Sequence, residues 1–236
     1  MRTLVLVAAL ATACSSYRGT AHDTSPAKLA REPGWVLLRD VPYVQQDTEY
    51  ECGAAAISMV VSYWTGVETR RVVAHFRPVG KNGIAAGKLR DYAREQGLAS
   101  YVIAGKVEDL ARELEAGRPV LVGLTKPVSR GKVLYHYEVV VGLHRDKQRI
   151  VTLDPDKGWR ENSLEGFASE WKHEGFVTLI VSAKPAAAAS APASAASVPV
   201  PAAQGPAASG PAASGPAAAA SAASASTASD VRADRD

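Results

Sequence analysis

Apolar positions change their spacing near Gly117, so that a helical part of the chain precedes a strand-rich part. In the helical part, the run from Cys52 to Thr65 is apolar almost all round, which predicts a central buried helix ending at Gly66. Other apolar periods predict helices over Thr69–Phe76, Ile84–Gln96 and Val107–Ala116. Two further segments are predicted to be extended, Trp35–Val44 and Leu98–Ile103.

Beyond Gly117 the chain is rich in Val, Ile, Leu and Tyr, which favour strands. A last helix is predicted over Ser163–Lys172. Four runs predict strands, over Pro119–Thr125, Tyr135–His144, Arg149–Leu153 and Phe176–Ser182. Helices first and strands later, with tight connections between the last strands, predict an α+β fold with an antiparallel sheet. This region, residues 34–184, has roughly 150 residues, which is the size of one ordinary domain.

Residues 1–33 predict an export signal followed by a tether. A positive charge in Met1–Thr3 precedes the apolar stretch Leu4–Ala13, which is too short to span a bilayer, so residues 1–13 predict a secretion signal. Cys14 follows small residues and resembles the lipidated cysteine of bacterial lipoproteins, with ordinary cleavage near Ala13 as the alternative. Residues 14–33 are polar and predict a tether. We therefore expect an exported protein, held on the membrane by a lipid anchor and facing the periplasm or the cell exterior.

Residues 185–236 consist mostly of Ala, Pro, Ser and Gly, and Gly-Pro-Ala-Ala-Ser occurs at Gly205 and again at Gly210. This segment has no aromatic residue to bury, so we expect it to be disordered. A spacer across a periplasm or cell wall and a tolerated low-complexity tail are both consistent with that composition.

Charge and cysteine content narrow the function classes. The formal net charge is +3 and no long basic run occurs, so nucleic acid is not an expected partner. The sequence has no metal-ligand cluster or phosphate loop, so it implies no cofactor. Its two cysteines, Cys14 and Cys52, lie in different kinds of sequence and argue against a disulfide framework. An unpaired thiol is a liability in an oxidising compartment, which favours a retained role for Cys52 as a nucleophile.

Cys52 is predicted to open the central helix, with Gly53 after it and Gln46 six residues before it. The unpaired N–H groups of a first helical turn carry partial positive charge and stabilise a thiolate, which is the nucleophile of cysteine enzymes. Such a nucleophile needs a base, an orienting group for that base and donors for the oxyanion.

The base and its orienting group are predicted from a hairpin. The strands that contain His136 and Asp154 are joined by a turn near Arg145, which is the midpoint of the two residues. In an antiparallel pair, residues equidistant from the turn face each other, so His136 and Asp154 should lie close together to within a residue or two of register. Taken singly, each residue has a commoner structural explanation: a buried apolar cysteine, a structural histidine and a turn-forming aspartate.

The order of Gln46, Cys52, His136 and Asp154 resembles the bacteriocin-processing family of papain-like cysteine peptidases, family 39. The resemblance extends from about Trp35 to Ser182. It is carried by Gln-x5-Cys-Gly and by four later segments, Gly80–Leu98, Gly117–Val122, His136–Val141 and Val151–Pro155. Family members often have Pro after the Cys-Gly pair, where this chain has Ala54.

The resemblance implies a papain-like fold, in which the Cys-bearing helix packs on an antiparallel sheet. It also implies a catalytic site of Cys52 as nucleophile, His136 as base and then acid, Asp154 as its orienting group, and Gln46 as a side-chain donor to the oxyanion. Typical members are fused to a transporter and cut leader peptides after paired glycines. The expected partners are therefore a peptide or protein substrate, such as a secreted peptide with a small-residue cleavage site, and a separate transporter.

Two other functions use the same residues. An amidase or transpeptidase needs the same thiolate, imidazole and oxyanion donors, because only the acceptor of the acyl group differs. A papain-like domain that docks a peptide without cutting it is the alternative outside enzymes. The sequence favours an exported cysteine peptidase over both.

Overall fold

The computed structural model describes residues 19–128 and 131–184, so the signal segment, Cys14 and the Ala/Pro/Ser-rich tail lie outside the described residues. The helices are α1 (Pro26–Leu29), α2 (Cys52–Thr65), α3 (Thr69–Phe76), α4 (Ala86–Glu95), α5 (Val107–Glu115) and α6 (Leu164–Lys172). The strands are β1 (His22–Asp23), β2 (Trp35–Leu37), β3 (Leu98–Ala104), β4 (Val120–Pro127), β5 (Val133–His144), β6 (Arg149–Asp154), β7 (Gly158–Ser163) and β8 (Val177–Ala183).

All eight strands form one antiparallel sheet, in the order β1-β7-β6-β5-β4-β8-β3, with β2 paired to β5. Side chains that alternate along β5 enter two separate cores: Val139 and Val141 belong to one, and Val140 to the other. The first core contains residues of α2, α3 and α4, and the second contains residues of α5 and α6. The predicted α+β fold, with helices on an antiparallel sheet, is confirmed.

The predicted central helix has the predicted bounds. Every residue of α2 from Cys52 to Ser62 is buried, as an all-round apolar sequence requires. The helix ends at Gly66, whose φ of 70° is left-handed and whose N–H donates to the Ser62 carbonyl, a conformation that favours glycine. This helix fixes Cys52 at one end of the buried core.

Strand β7 was not predicted, and the extended segment after Trp35 is a strand only as far as Leu37. Strand β7 contains Glu161 and Asn162, which are buried at 0% and 5% exposure, so its inward-facing positions are polar. A strand whose buried positions are polar or charged has no alternating apolar pattern, so hydrophobic periodicity does not predict it.

The predicted tether is folded over its described part. β1 pairs with β7, and Leu29 of α1 is 1% exposed in the first core. Lys28 Nζ lies 3.4 Å from the buried Glu161 carboxylate, which also pairs with Arg149. The folded domain therefore begins before residue 34. The sequence pattern missed this segment because it is polar and packs partly through ion pairs, which leave no apolar period. Over residues 19–128 and 131–184, no helix is long and apolar enough to cross a membrane.

Candidate active site

Cys52 is the first residue of α2 and is 6% exposed. The residue before it, Glu51, makes no side-chain capping hydrogen bond to the helix. Its carboxylate is instead held by Arg77, whose Nε and Nη2 donate to Oε1 and Oε2, each at 2.9 Å. The first-turn N–H of Gly53 is left to the Cys52 sulfur, and it helps to lower the pKa of that thiol.

His136 and Asp154 form a buried hydrogen-bonded pair. His136 lies on β5 at 4% exposure, and Asp154 ends β6 at 5% exposure. Nε2 of His136 lies 2.7 Å from Oδ1 of Asp154. The same oxygen accepts the N–H of Asp156 at 2.8 Å, which fixes the carboxylate at the strand end.

The register that brings this pair together differs from simple midpoint pairing. Val139 pairs with Leu153, and a bulge between Val140 and Gly142 shifts the pairing by one residue. Continued beyond Leu153, this register brings Asp154 opposite Glu138. His136 shares the face of Glu138, two residues away, and reaches Asp154 diagonally.

The electrostatic surroundings of the site shift Cys52 toward a thiolate and His136 toward an imidazolium. Burial opposes ionisation of the Cys52 thiol, but the hydrogen bond and charge of His136, with the N–H groups of Tyr137 and Gly53, hold its pKa below the ordinary value. Burial also opposes protonation of His136, but Asp154 and Cys52 raise its pKa to about 10. Burial would raise the pKa of Asp154, yet His136 holds that pKa well below its usual range.

The two nitrogens of His136 have separate roles. Nε2 is taken by Asp154, and Nδ1 has no hydrogen-bond partner among the described residues. Since Cys52 acts on the ring and helps to raise its pKa, Nδ1 is the nitrogen that remains to serve the thiol. The arrangement is the one that a nucleophile, a base and an orienting carboxylate require.

Gln46 lies on the segment that precedes α2. Its backbone N–H donates to the carbonyl of Pro155 at 2.9 Å, directly after Asp154. Its side-chain Oε1 is buried and has no hydrogen-bond partner among the described residues. The structure thus joins Cys52, His136 and Asp154 through their side chains, and joins Gln46 to the chain after Asp154. Its role at the oxyanion stays a prediction.

Cys52 and His136 open into a cleft of about 520 Å³. One wall is formed by residues 81–85 with Glu49 and Tyr50, and the other by residues 133–137 with Gly123 and Glu174. The second wall carries three exposed apolar side chains, Val133 at 52%, Leu134 at 37% and Tyr135 at 68% exposure. Strands β4 and β5 are joined by residues 128–132, of which Ser129 and Arg130 lie outside the described residues.

Three buried charges beside the site were not predicted: Lys126, Glu138 and Glu170, at 6%, 1% and 3% exposure. His136, Glu138 and Asp154 offer ligand atoms within 4.8 Å of one another, the spacing of a metal site. The Nζ of Lys126 lies 2.7 Å from Glu138 Oε1, so this carboxylate already has a cation. A glutamate inside the apolar run after His136 was the sequence signal for this group.

Comparison with known proteins places the fold and the family. Residues 36–172 match the family described as papain-like cysteine protease AvrRpt2. A family 39-like peptidase from Bacillus anthracis has the same fold, with a TM-score of 0.51, 20% identity, and coverage of 64% of this chain and 98% of its own. The peptidase domain of Streptococcus ComA, a bifunctional transporter of a quorum-sensing pathway, gives 0.49 at 23% identity, over 61% of this chain and 99% of its own. No curated protein matches the chain.

Proposed function

Since the chain belongs to the papain-like cysteine protease family, we propose that it is an exported peptidase that cleaves a peptide bond through a thioester on Cys52. The observation that carries the proposal is the buried relay from the Cys52 thiol through His136 to Asp154, which opens into the cleft. Strongly shifted pKa values in neighbouring residues at the wall of a cleft are typical of a functional site, and not of a cysteine, a histidine and an aspartate with purely structural roles.

The reaction follows from the charges of the pair. The Cys52 thiolate attacks the substrate carbonyl carbon, and the Cys52 N–H with the Gln46 amide stabilises the oxyanion. The imidazolium of His136 gives its proton to the leaving amine as the C–N bond breaks, which leaves an acyl thioester. His136 then takes a proton from water, whose oxygen attacks the thioester, and the C–S bond breaks to release the acid and restore the thiolate.

A peptide with apolar residues near a small-residue cleavage site is the proposed substrate. The exposed strip of Val133, Leu134 and Tyr135 supports apolar contacts, because exposed apolar side chains in a row at a cleft mark a binding surface. Gly123 lines the cleft beside Val177, which a methyl group on that glycine would approach to 3.3 Å, so a larger residue would crowd this part of the lining. A separate transporter that exports the substrate is the proposed partner.

Export and a lipid anchor at Cys14 complete the proposal. They are supported by the charge of Arg2, the short apolar run Leu4–Ala13 and the cysteine that follows it. Incorporation of labelled palmitate that is lost in Cys14→Ser would support the anchor, and incorporation that survives the substitution would overturn it.

The peptidase proposal is tested by labelling with an electrophilic peptide probe and by hydrolysis of peptides with apolar and small residues. Wild-type protein should label and cleave, and Cys52→Ala should do neither while keeping its fold. The other cysteine offers a matched control, since Cys14→Ser should still label. If folded, reduced wild-type protein is not labelled, the proposal that the protein is an enzyme is wrong. Labelling with transfer to an added amine in place of water would instead show a transpeptidase.

A further inference from the structure

A second buried carboxylate lies beside the His136–Asp154 pair and has no part in the steps above. Glu138 is 1% exposed, and one of its oxygens lies within 4.8 Å of ligand atoms of both His136 and Asp154. Burying a charge costs free energy unless it is paired, so a carboxylate in this place needs a reason. Strand alternation puts Glu138 on the same face as His136, two residues away.

Lys126 opposes the protonation of Glu138 that burial favours. On the neighbouring strand β4, its Nζ lies 2.7 Å from Glu138 Oε1 and 3.0 Å from Glu170 Oε2 on α6. Burial raises the pKa of Glu138 and the charge of Asp154 adds to the rise, while Lys126 and His136 act against it. One ammonium is shared by two carboxylates, so the surroundings of the imidazole remain negative.

The ionisable groups around His136 and Glu138 come from four neighbouring elements as well as from β5. They are Asp154 on β6, Lys126 on β4, Glu170 on α6 and Cys52 on α2. By formal count, the three carboxyl groups of Asp154, Glu138 and Glu170 outnumber the single ammonium of Lys126 behind the imidazole. An excess of negative charge there favours a protonated ring.

We propose that Glu138 is a positioning residue of the peptidase site, whose carboxylate favours the imidazolium form of His136. It acts through His136 and touches neither the thiol nor the substrate. The inference rests on the proposed roles of Cys52 and His136. An opposite charge within about 4–6 Å shifts a pKa by roughly 1–3 units, so the effect is large enough to measure.

The test compares two substitutions at carboxylates that share the same lysine. The pKa of His136 is measured by NMR on protein labelled at the histidine rings. Glu138→Gln should lower it by about one unit, because the nearby negative charge is lost. Glu170→Gln also removes a partner of Lys126, but Glu170 is not one of the groups whose ligand atoms lie within 4.8 Å of His136, so this substitution should leave the pKa of His136 within a few tenths of a unit of the wild type. Equal shifts in both variants, or no shift in Glu138→Gln, overturn the proposal.

A second measurement needs no change at Glu138 if Glu138→Gln does not fold. In Cys52→Ala, the His136 ring signal should show an extra inflection above pH 4.5, the ordinary glutamate value, as Glu138 takes up a proton. A single inflection overturns the proposal. Alkylation of Cys52 in the wild type at a pH below that of an ordinary thiol separates the two hypotheses. Its absence contradicts the proposed function, whereas reactive Cys52 with an unshifted His136 contradicts only the role of Glu138.

Discussion

The cysteine side and the histidine side of the site obtain their charge in different ways. Beyond its partner His136, Cys52 relies on the end of one helix, where Arg77 holds the carboxylate of Glu51, the residue before the helix. His136 relies on side chains from other strands, chiefly the carboxylate of Asp154 at 2.7 Å. The first side is built from neighbours in the sequence, and the second from residues 18 positions apart.

The difference has consequences for substitution. Backbone N–H groups survive any single side-chain change, so the cysteine side should lose its charge gradually. The histidine side depends on single carboxylates and on the imidazole itself, so its loss should be abrupt. Substitutions on the two sides therefore separate the contribution of the helix end from that of the imidazolium.

The largest effect is expected from His136→Ala, which removes the proton acceptor and the strongest partner of the thiolate. Peptide hydrolysis should fall by roughly 10³-fold or more, and alkylation of Cys52 should require a higher pH because its pKa returns toward the ordinary value. Rates of alkylation against pH measure the shift directly. An unchanged alkylation profile would show that the helix end alone ionises Cys52, and would remove His136 from the site.

The cysteine side could be predicted from the sequence because its signals are local. The apolar run after Cys52 and the stop at Gly66 give the bounds of α2 directly. The pairing of His136 with Asp154 was also predicted, since a short turn makes neighbouring strands antiparallel, although the bulge after Val140 changes the register. When the connection between two strands is short, counting outward from the turn predicts which residues lie close together, and when the connection is long it does not.

The rest could not be predicted because buried charges interrupt the apolar pattern and their partners lie on other elements of the fold. Glu138 breaks an apolar pattern, and only the packing of β4 and α6 brings Lys126 and Glu170 to it. Strand β7 was missed for the same reason, because its buried Glu161 breaks the apolar pattern. One of the partners of Glu161, Lys28, is 133 residues away. Buried charges oppose the apolar period, so a pattern of hydrophobicity misses the strands and networks that they build.

A smaller effect is expected on the pH dependence of stability. The raised pKa of His136 stabilises the fold fully below about 6.5, and that contribution is lost as the pH rises through about 10. The lowered pKa of Cys52 stabilises it fully above about 9, and that contribution is lost as the pH falls through the folded value. In the part of the range from pH 6.5 to 9 that lies above the folded pKa of Cys52, the folded state holds one more proton on His136 and one fewer on Cys52 than the unfolded state, so the two slopes cancel.

Cys52→Ala should break this cancellation. Its free energy of unfolding should fall with rising pH above 6.5 by up to about 1.4 kcal/mol per pH unit, while the wild type stays nearly level. Denaturant unfolding at several pH values measures both curves, and the other titrating groups are common to the two proteins. Parallel curves would mean that the folded state holds a neutral thiol and a neutral imidazole.

The smallest effect is expected from Arg77→Met, which tests the cysteine side alone. Freed from the guanidinium, Glu51 can turn toward the start of α2 and compete with the thiolate for its N–H groups. A helix-end interaction is worth about 0.3–1 kcal/mol, so the pKa of Cys52 should rise by roughly half a unit. Arg70→Met, which breaks the exposed pair with Glu68 on the same helix α3, is the matched control and should leave the alkylation profile unchanged. If Arg77→Met also leaves it unchanged, the thiolate depends on His136, and the helix end contributes little.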